Sequence, residues 1–577
     1  MSKVLMVFYR SGQKNTKDQI DKITERINPD NIRPRPTLIR ELENGLLAVF
    51  NPNENVLLKG GSVCLGGLVD MKDRWWKVRE KKPEGTYAII RHGKDEIEVL
   101  TDICGSRPLW YCQTKEVFAL STSQRAILPV LGDFQMEPFA VSWFLSSGQL
   151  GPGYSWDQRI RMVPPNSIFS FDLNNWSSKI DTKSLNFDIS TEQDHREKLI
   201  CEIERAVGSM DLNMEKWIVP LSGGVDSRGV LFFSKEYGTP SAMTRGLKSS
   251  LDEKGTDMYI AKKVASRFKV KHHVYFTDKF EEDFSAIMDR IIKLGECRID
   301  HINHFMDGLF NYKDIYEKGY TGLLRGEHQF GAKTIRQYYG TDKDVRRNLG
   351  ALMFSDYDNI DLGSFGLKIP FWPEDLKQRP DETYQQWRDR TRLLYRSPYC
   401  LTTIIDLITG YVETISPMTS SNIIDQMFRT PDNFRRDSNL WYSIVKRRSS
   451  GIPFADKDAI HNIYTLLTLD PIRNTIRNEL EIYRGSVLPA DLISFVMRKT
   501  SKVPVASMPT WTSRTRKWIN NNIPGFLMKW IYKPPEKQTM NFFRLALRCY
   551  MIAKLEKIFE EDSKLFEMSP LNDFSDE

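Results

Sequence analysis

No stretch of the 577-residue chain approaches the roughly 18 consecutive apolar residues that a membrane-spanning helix needs, so membrane insertion is not expected. Cysteine is scarce. The seven present are irregularly spaced and include no Cys-x-x-Cys pair, which gives neither a disulfide framework nor a zinc site. Reduced thiols are the plain reading. The first ten residues form a β-like run without the charge and cleavage pattern of a signal peptide, so the expected compartment is the cytoplasm. The net charge of +7 is small for this length and does not by itself point to nucleic acid. Length alone allows three or four domains of about 150 residues, or two larger ones.

One segment carries most of the information. Leu221-Ser-Gly-Gly-Val-Asp-Ser227 follows a strand-like run, Trp217 to Pro220, and leads into a helix-like run, Arg228 to Tyr237. Adjacent glycines let the backbone bring several N–H groups onto one anion, and the following helix adds its positive end. Ser222 and Ser227 add hydroxyls, and Asp226 is the candidate Mg²⁺ ligand. The loop lacks the Gly-Lys-Ser/Thr ending of kinases and GTPases. Around it, Leu199, Ile203, Ala206, Val207 and Met210 recur at helical spacing, as do Met258, Ala261, Val264, Ala265 and Phe268, with further strands predicted at Ala242–Gly246 and Val270–Phe276. This α-β-α-β-α-β order favours a parallel sheet with right-handed crossovers and a ligand beyond the strand C-terminal ends.

Ser-Gly-Gly-x-Asp-Ser is the signature of the ATP pyrophosphatases, and the chain as a whole resembles the asparagine synthetase family. In the first half, Gly85-Thr-Tyr-Ala-Ile-Ile90, Asp102, Gly105-Ser-Arg-Pro-Leu-Trp-Tyr111 and Phe118-Ala-Leu-Ser121 carry the resemblance. In the second, Thr244, Gly246, Asp252, Ala261, Val264-Ala265 and His272-His273 follow the loop in the family's order. The resemblance implies an α/β protein of two principal parts: a glutaminase-like β-rich sandwich over residues 1–185, expected to be inactive, and an ATP-pyrophosphatase domain over 186–480. Residues 481–577 are then a helical, basic extension with an acidic tail. It also implies ATP and Mg²⁺, with Leu221, Ser222, Gly223, Gly224, Val225, Asp226, Ser227, Thr244 and Gly326 holding the nucleotide. The implied chemistry is adenylation of a substrate carboxylate, release of pyrophosphate, and acyl transfer to an amine.

Departures from the family narrow that chemistry. Members that hydrolyse glutamine expose a cysteine at position 2, and here position 2 is Ser. The nitrogen is therefore expected from ammonia or from an amine on the substrate, as in β-lactam synthetase and the lasso-peptide cyclases. Leu324-Arg-Gly-Glu327 with Phe330-Gly331 resembles the family's acidic segment with a deletion, which makes Glu327 the candidate general base, its pKa tuned upward by partial burial. Glu413, in Tyr411-Val-Glu-Thr-Ile-Ser-Pro417, is a second candidate carboxylate. Lys457, in Ile452-Pro-Phe-Ala-Asp-Lys457, is the candidate cation for pyrophosphate and oxyanion charge.

His272 and His273 are adjacent on a predicted strand, point to opposite faces and make a poor metal pair. Glu296, Asp300, His301, His304 and Asp307 read as a polar helix face, lining an acceptor pocket or simply solvated. Basic clusters at 435–448, 498–502 and 514–517, with Trp511, Trp518 and Trp530, offer an acidic partner a surface, although solvated helix faces are the plainer reading. Thr539 to Glu560 reads as one long helix. An RNA-modifying enzyme and a non-catalytic scaffold are readings of other classes. Partners are expected to be a carboxylate substrate and an amine donor, with a homodimer left open.

Overall fold

The computed structural model describes residues 2–11, 15–278, 282–332, 342–449, 451–502 and 538–566. The basic cluster at 514–517, the three tryptophans with it and the acidic tail lie outside the described residues.

The first half is a sandwich of two six-stranded antiparallel sheets. One runs, in spatial order, Ile160–Met162, Trp110–Gln113, Val117–Ser121, Lys3–Tyr9, Gly45–Phe50 and Leu38–Leu42. The other runs Ser177–Thr182, Ser167–Asp172, Glu96–Thr101, Gly85–His92, Ser62–Leu68 and Leu57–Lys59. Alternation along the strands assigns the faces, because successive side chains point to opposite sides. Val4, Met6 and Phe8 enter the core between the sheets, where Phe118 stacks on Phe171 at 3.9 Å. Leu5, Val7 and Tyr9 face the other way, onto the helices Lys17–Ile27, Gln124–Leu131 and Phe542–Ser563.

The second half is built on a five-stranded parallel sheet in the order His272–Phe276, Ser241–Gly246, Trp217–Pro220, Gly322–Leu324, Glu413–Ile415. Its three sequence-predicted strands are present, as are the helices His195–Ser209, Val225–Ser234 and Asp257–Arg267 between and before them. Trp217 and Val219 pack on one face of the sheet, while Ile218, Met243 and Leu323 join the large core shared with the first half. The chain winds outward from Trp217–Pro220 through two strands, then returns to place Gly322–Leu324 on the opposite side. That reversal leaves a crevice between the two central strands, where open α/β sheets bind ligands.

One expectation needs correction. Residues 296–307 do not form a helix: Glu296 and Cys297 adopt left-handed backbone, with φ of 52° and 50°, which ends the preceding helix, Phe284–Gly295. Only a short 3₁₀ turn, Ile302–His304, follows. The long C-terminal helix read from the sequence is present as Phe542–Ser563. It packs into the main core, and its Asp562 takes hydrogen bonds from Arg125 (2.6 Å) and Arg26 (2.7 Å) of the first half.

Glu413 lies in the last strand, wholly buried, and ion-pairs with Arg107 of the first half. Arg107 is placed by the Gly105–Tyr111 turn, which Asp102 organises by accepting the backbone N–H groups of Tyr87 (2.8 Å), Cys104 (2.9 Å) and Ser106 (3.1 Å). Burial pulls the Arg107 guanidinium down to about 10, against the raising effect of nearby Asp406 and Asp102.

Candidate active site

The loop and the segment after the fourth strand meet across the crevice. Leu221 N–H bonds to Met243 O (2.7 Å), and Thr244 Oγ1 donates to Leu221 O (2.7 Å), so the second strand fixes where the loop departs. Within the loop, Ser222 N–H donates to Ser227 Oγ (2.9 Å), Gly223 N–H to Asp257 Oδ1 (2.9 Å) and Gly224 N–H to Ser222 Oγ (3.2 Å). Gly224 caps the helix Val225–Ser234. A Cβ on Gly223 would lie 2.4 Å from that of Ala455, and one on Gly326 would lie 2.8 Å from the Asp226 carbonyl carbon. Gly326 thus lets the Arg325–His328 segment close on the loop, and Gly223 lets the loop close on the segment that carries Ala455.

Loop and segment open onto a cavity of about 760 Å³, a size typical of ligand sites. Leu221, Ser222, Asp226, Ser227, Thr244, Gly326 and Glu327 line it; Gly223, Gly224 and Val225 complete the loop behind them. Asp226 Oδ1 accepts from His328 Nε2 (2.8 Å) and Trp441 Nε1 (3.2 Å), and the carboxylate stays about half exposed (48%). Burial pushes its pKa up, but His328, Trp441 and Arg392 together hold it below the usual range. A half-exposed anionic oxygen pair beside a glycine loop fits a divalent cation.

Glu327 is also ionised, though not as the sequence suggested. Burial raises its pKa, but an ion pair with Arg325 (Nε at 2.8 Å) and the Ser416 hydroxyl (2.9 Å) outweigh burial and leave it lowered. The other two candidate catalytic residues do not line the cavity. Lys457 is exposed, because a backbone bridge between Thr256 and Lys457 turns its side chain outward to Glu253 (2.7 Å). The segment just beyond it, Asp458 to Ile463, does form cavity wall. Glu413 is spent on Arg107 behind the sheet.

Residues 204–327, from the helix before the loop to Glu327 itself, match the asparagine synthase family. The match covers well under half of the chain, and it is this segment alone that is similar to that family. No curated protein matches the chain. Among solved structures, the glutamine phosphoribosylpyrophosphate amidotransferase from B. subtilis complexed with ADP and GMP aligns at 10% identity and a TM-score of 0.20, over 47% of this chain and 65% of that one. The allosteric regulatory enzyme of purine biosynthesis aligns at 10% and 0.19, over 47% and 64%. The chain thus spans just under two thirds of either structure, and likenesses this loose carry no argument about chemistry.

Around the matched segment, the site uses residues that motif reading missed. Trp441 reaches Asp226 because Gly229 has no side chain: a Cβ there would lie 2.1 Å from the indole. His328 immediately follows Glu327, and its polar ring between that carboxylate and Phe330 was a visible signal. Arg392 and Arg396 enter from a π-helix, Arg392–Leu401, in a run dense in arginine. His301 and His304 line the wall, whereas Asp300 is buried under Arg544 and Arg548.

His272 and His273 part company as their strand requires, one meeting Thr244 Oγ1 (2.8 Å) and the other the Tyr320 hydroxyl (2.9 Å). Burial pushes His272 down to about 4 and His304 to about 3, from the usual 6.5. The fold therefore favours their neutral forms. The stability this contributes is fully present above pH 6.5 and is lost as the pH falls through the folded values. The thermal midpoint should drop between pH 6.5 and 4, and His272→Gln should shallow that drop; an unchanged slope in the variant would count against the assignment.

Proposed function

We propose that the chain is an ATP-dependent, amide-forming ligase that adenylates a substrate carboxylate and transfers the acyl group to ammonia or to a substrate amine. One observation carries this reading: the phosphate loop and Glu327 face each other across one cavity at the reversal point of the sheet, on a segment that matches the asparagine synthase family. In this reading a carboxylate oxygen attacks the α phosphorus, the bond to the β phosphate breaks, and pyrophosphate leaves on the loop, where the Ser222 and Ser227 hydroxyls and the helix end face it. Asp226 would hold Mg²⁺, which offsets phosphate charge when bound.

The amine nitrogen then attacks the acyl carbon, and AMP departs with the acyl C–O bond pair. Glu327, held anionic by Arg325, orients the incoming amine and takes its proton. Arg325, released from that pair, faces the oxyanion of the tetrahedral intermediate. Lys457 has no part in this geometry. Bringing both substrates into one enclosed site lowers the entropic cost of reaction and keeps water from the adenylate.

Exchange of labelled pyrophosphate into ATP across a panel of carboxylates tests the proposal. Stimulated exchange supports it, whereas ADP and phosphate as the products would end it. Glu327→Gln should retain carboxylate-dependent pyrophosphate release and lose amide product by about 10²–10⁴-fold. Equal loss of both steps would make Glu327 a nucleotide ligand instead. Ser2 is 1% exposed, and its hydroxyl lies between the main chains of Asn51 (3.4 Å) and Asn53 (3.3 Å). Ser2→Ala should accordingly leave amide synthesis unchanged, and glutamate release from glutamine that disappears in the variant would refute this.

A further inference from the structure

Arg392 and Arg396 stand one turn apart on the π-helix Arg392–Leu401, and both line the cavity. Such helices are rare and are concentrated at functional sites. Neither guanidinium has an ion-pair or hydrogen-bond partner among the described residues, and Arg392 Nε is buried without one. Of the other arginines of the wall, Arg325 is engaged by Glu327 and Arg544 by Asp300 at 2.6 and 2.7 Å, while Arg245 lies over the rings of Phe305 and Tyr312. Asp389, the carboxylate one turn before Arg392, is taken by Arg435 and by the backbone N–H of Ala332. Two cations of like charge are thus kept side by side in a partly desolvated wall, with no ion-pair partner among the described residues and only the longer-range charges of Asp389 and Asp226 acting on Arg392, an arrangement that costs stability unless a ligand supplies the anion.

Two planar guanidinium forks match an oxyanion, a carboxylate or a phosphate, with bidentate bonds. Of the cavity's carboxylates, Asp226 is held by His328 and Trp441, Asp257 takes the Gly223 N–H, and Glu327 is paired with Arg325. Asp458 stands on the segment that hydrogen-bonds to the loop through Ala455 N–H and Gly223 O (3.0 Å). Asp226 stays about half exposed within reach of the Arg392 charge, so the cavity leaves room for an amine as well as for the anion. We propose that Arg392 and Arg396 form a second anion subsite, so that the acid activated at the phosphate loop carries a distal anionic group. This rests on the ligase reading and names its substrate class.

Titration calorimetry tests the subsite on the whole protein saturated with Mg²⁺ and α,β-methylene ATP, using three acids of one carbon length: succinate, aspartate and butyrate. Succinate or aspartate should bind at least about tenfold more tightly than butyrate, the equivalent of one charge-assisted hydrogen bond. Arg392→Gln and Arg396→Gln should each bring the diacid down to the level of butyrate and leave butyrate unchanged. Both variants should keep or raise the thermal midpoint, since each removes an unsatisfied charge, whereas a structural arginine would lower it. Butyrate binding equal to both diacids, diacid binding indifferent to both substitutions, or binding of none of the three would each overturn the proposal. Diacid binding without pyrophosphate exchange would leave the subsite standing and end the adenylation reading. Butyrate-driven exchange indifferent to both arginines would do the reverse.

Discussion

Asp226→Asn and Asp226→Ala should both lower pyrophosphate exchange by about 10²–10³-fold or more, the scale of losing one preorganised charge-stabilising group. The two should differ in stability. The carboxylate accepts from His328 and Trp441, and Asn still offers its amide oxygen to both donors, whereas Ala leaves the indole N–H and the imidazole without a partner. An unsatisfied buried donor costs about 1–3 kcal/mol. A lowered thermal midpoint is therefore expected for Ala alone. Near-normal exchange in the Asn variant would mean that the charge of Asp226 is not needed and that no cation is held there.

A second large effect is expected far from the chemistry. Glu413→Ala removes the partner of a guanidinium that is 4% exposed, and stranding a buried charge in this way costs about 3–5 kcal/mol. Replacing both members, as in Arg107→Met with Glu413→Leu, should recover most of that loss, because the pair's desolvation cost disappears with it. Denaturant midpoints of the two single variants and the double variant measure the coupling. If Glu413→Gln instead abolished exchange while leaving the midpoint unchanged, Glu413 would act in catalysis and not in joining the two halves.

Local pattern made the centre of the sheet legible. The loop, its flanking strand and helix, and the periodicity of Met258, Ala261, Val264 and Ala265 are statements about neighbours in sequence, and the structure places them as read. Glu327 was reachable through the resemblance of Leu324–Gly331 to the family's acidic segment, again a matter of neighbours in sequence. What escaped reading depends on contacts between distant segments. The electrostatic state of Glu327 is set by Ser416 as well as by Arg325, and Lys457 is turned outward by a bridge to Thr256, about two hundred residues away. The break in the polar run at 296–307 turns on left-handed backbone at Glu296, whose side chain is bonded to Ser123 (2.6 Å) in the other half of the molecule. No local preference forecasts that.

The helix Phe542–Ser563 has a consequence for biosynthesis. It seats Asp562 against Arg26 and Arg125 of the first half, and its Arg544 forms part of the cavity wall beside Asp300. Translation at about 5–20 residues per second delivers the first sheets roughly 20 to 75 seconds before this helix leaves the ribosome. Throughout that interval Arg125 lacks the carboxylate that later neutralises it, and the apolar face meant for Leu545, Tyr550 and Phe559 stays wet. The nascent chain therefore completes its substrate chamber only after this helix has emerged, and a chain cut before Phe542 would have neither a closed core nor a finished site.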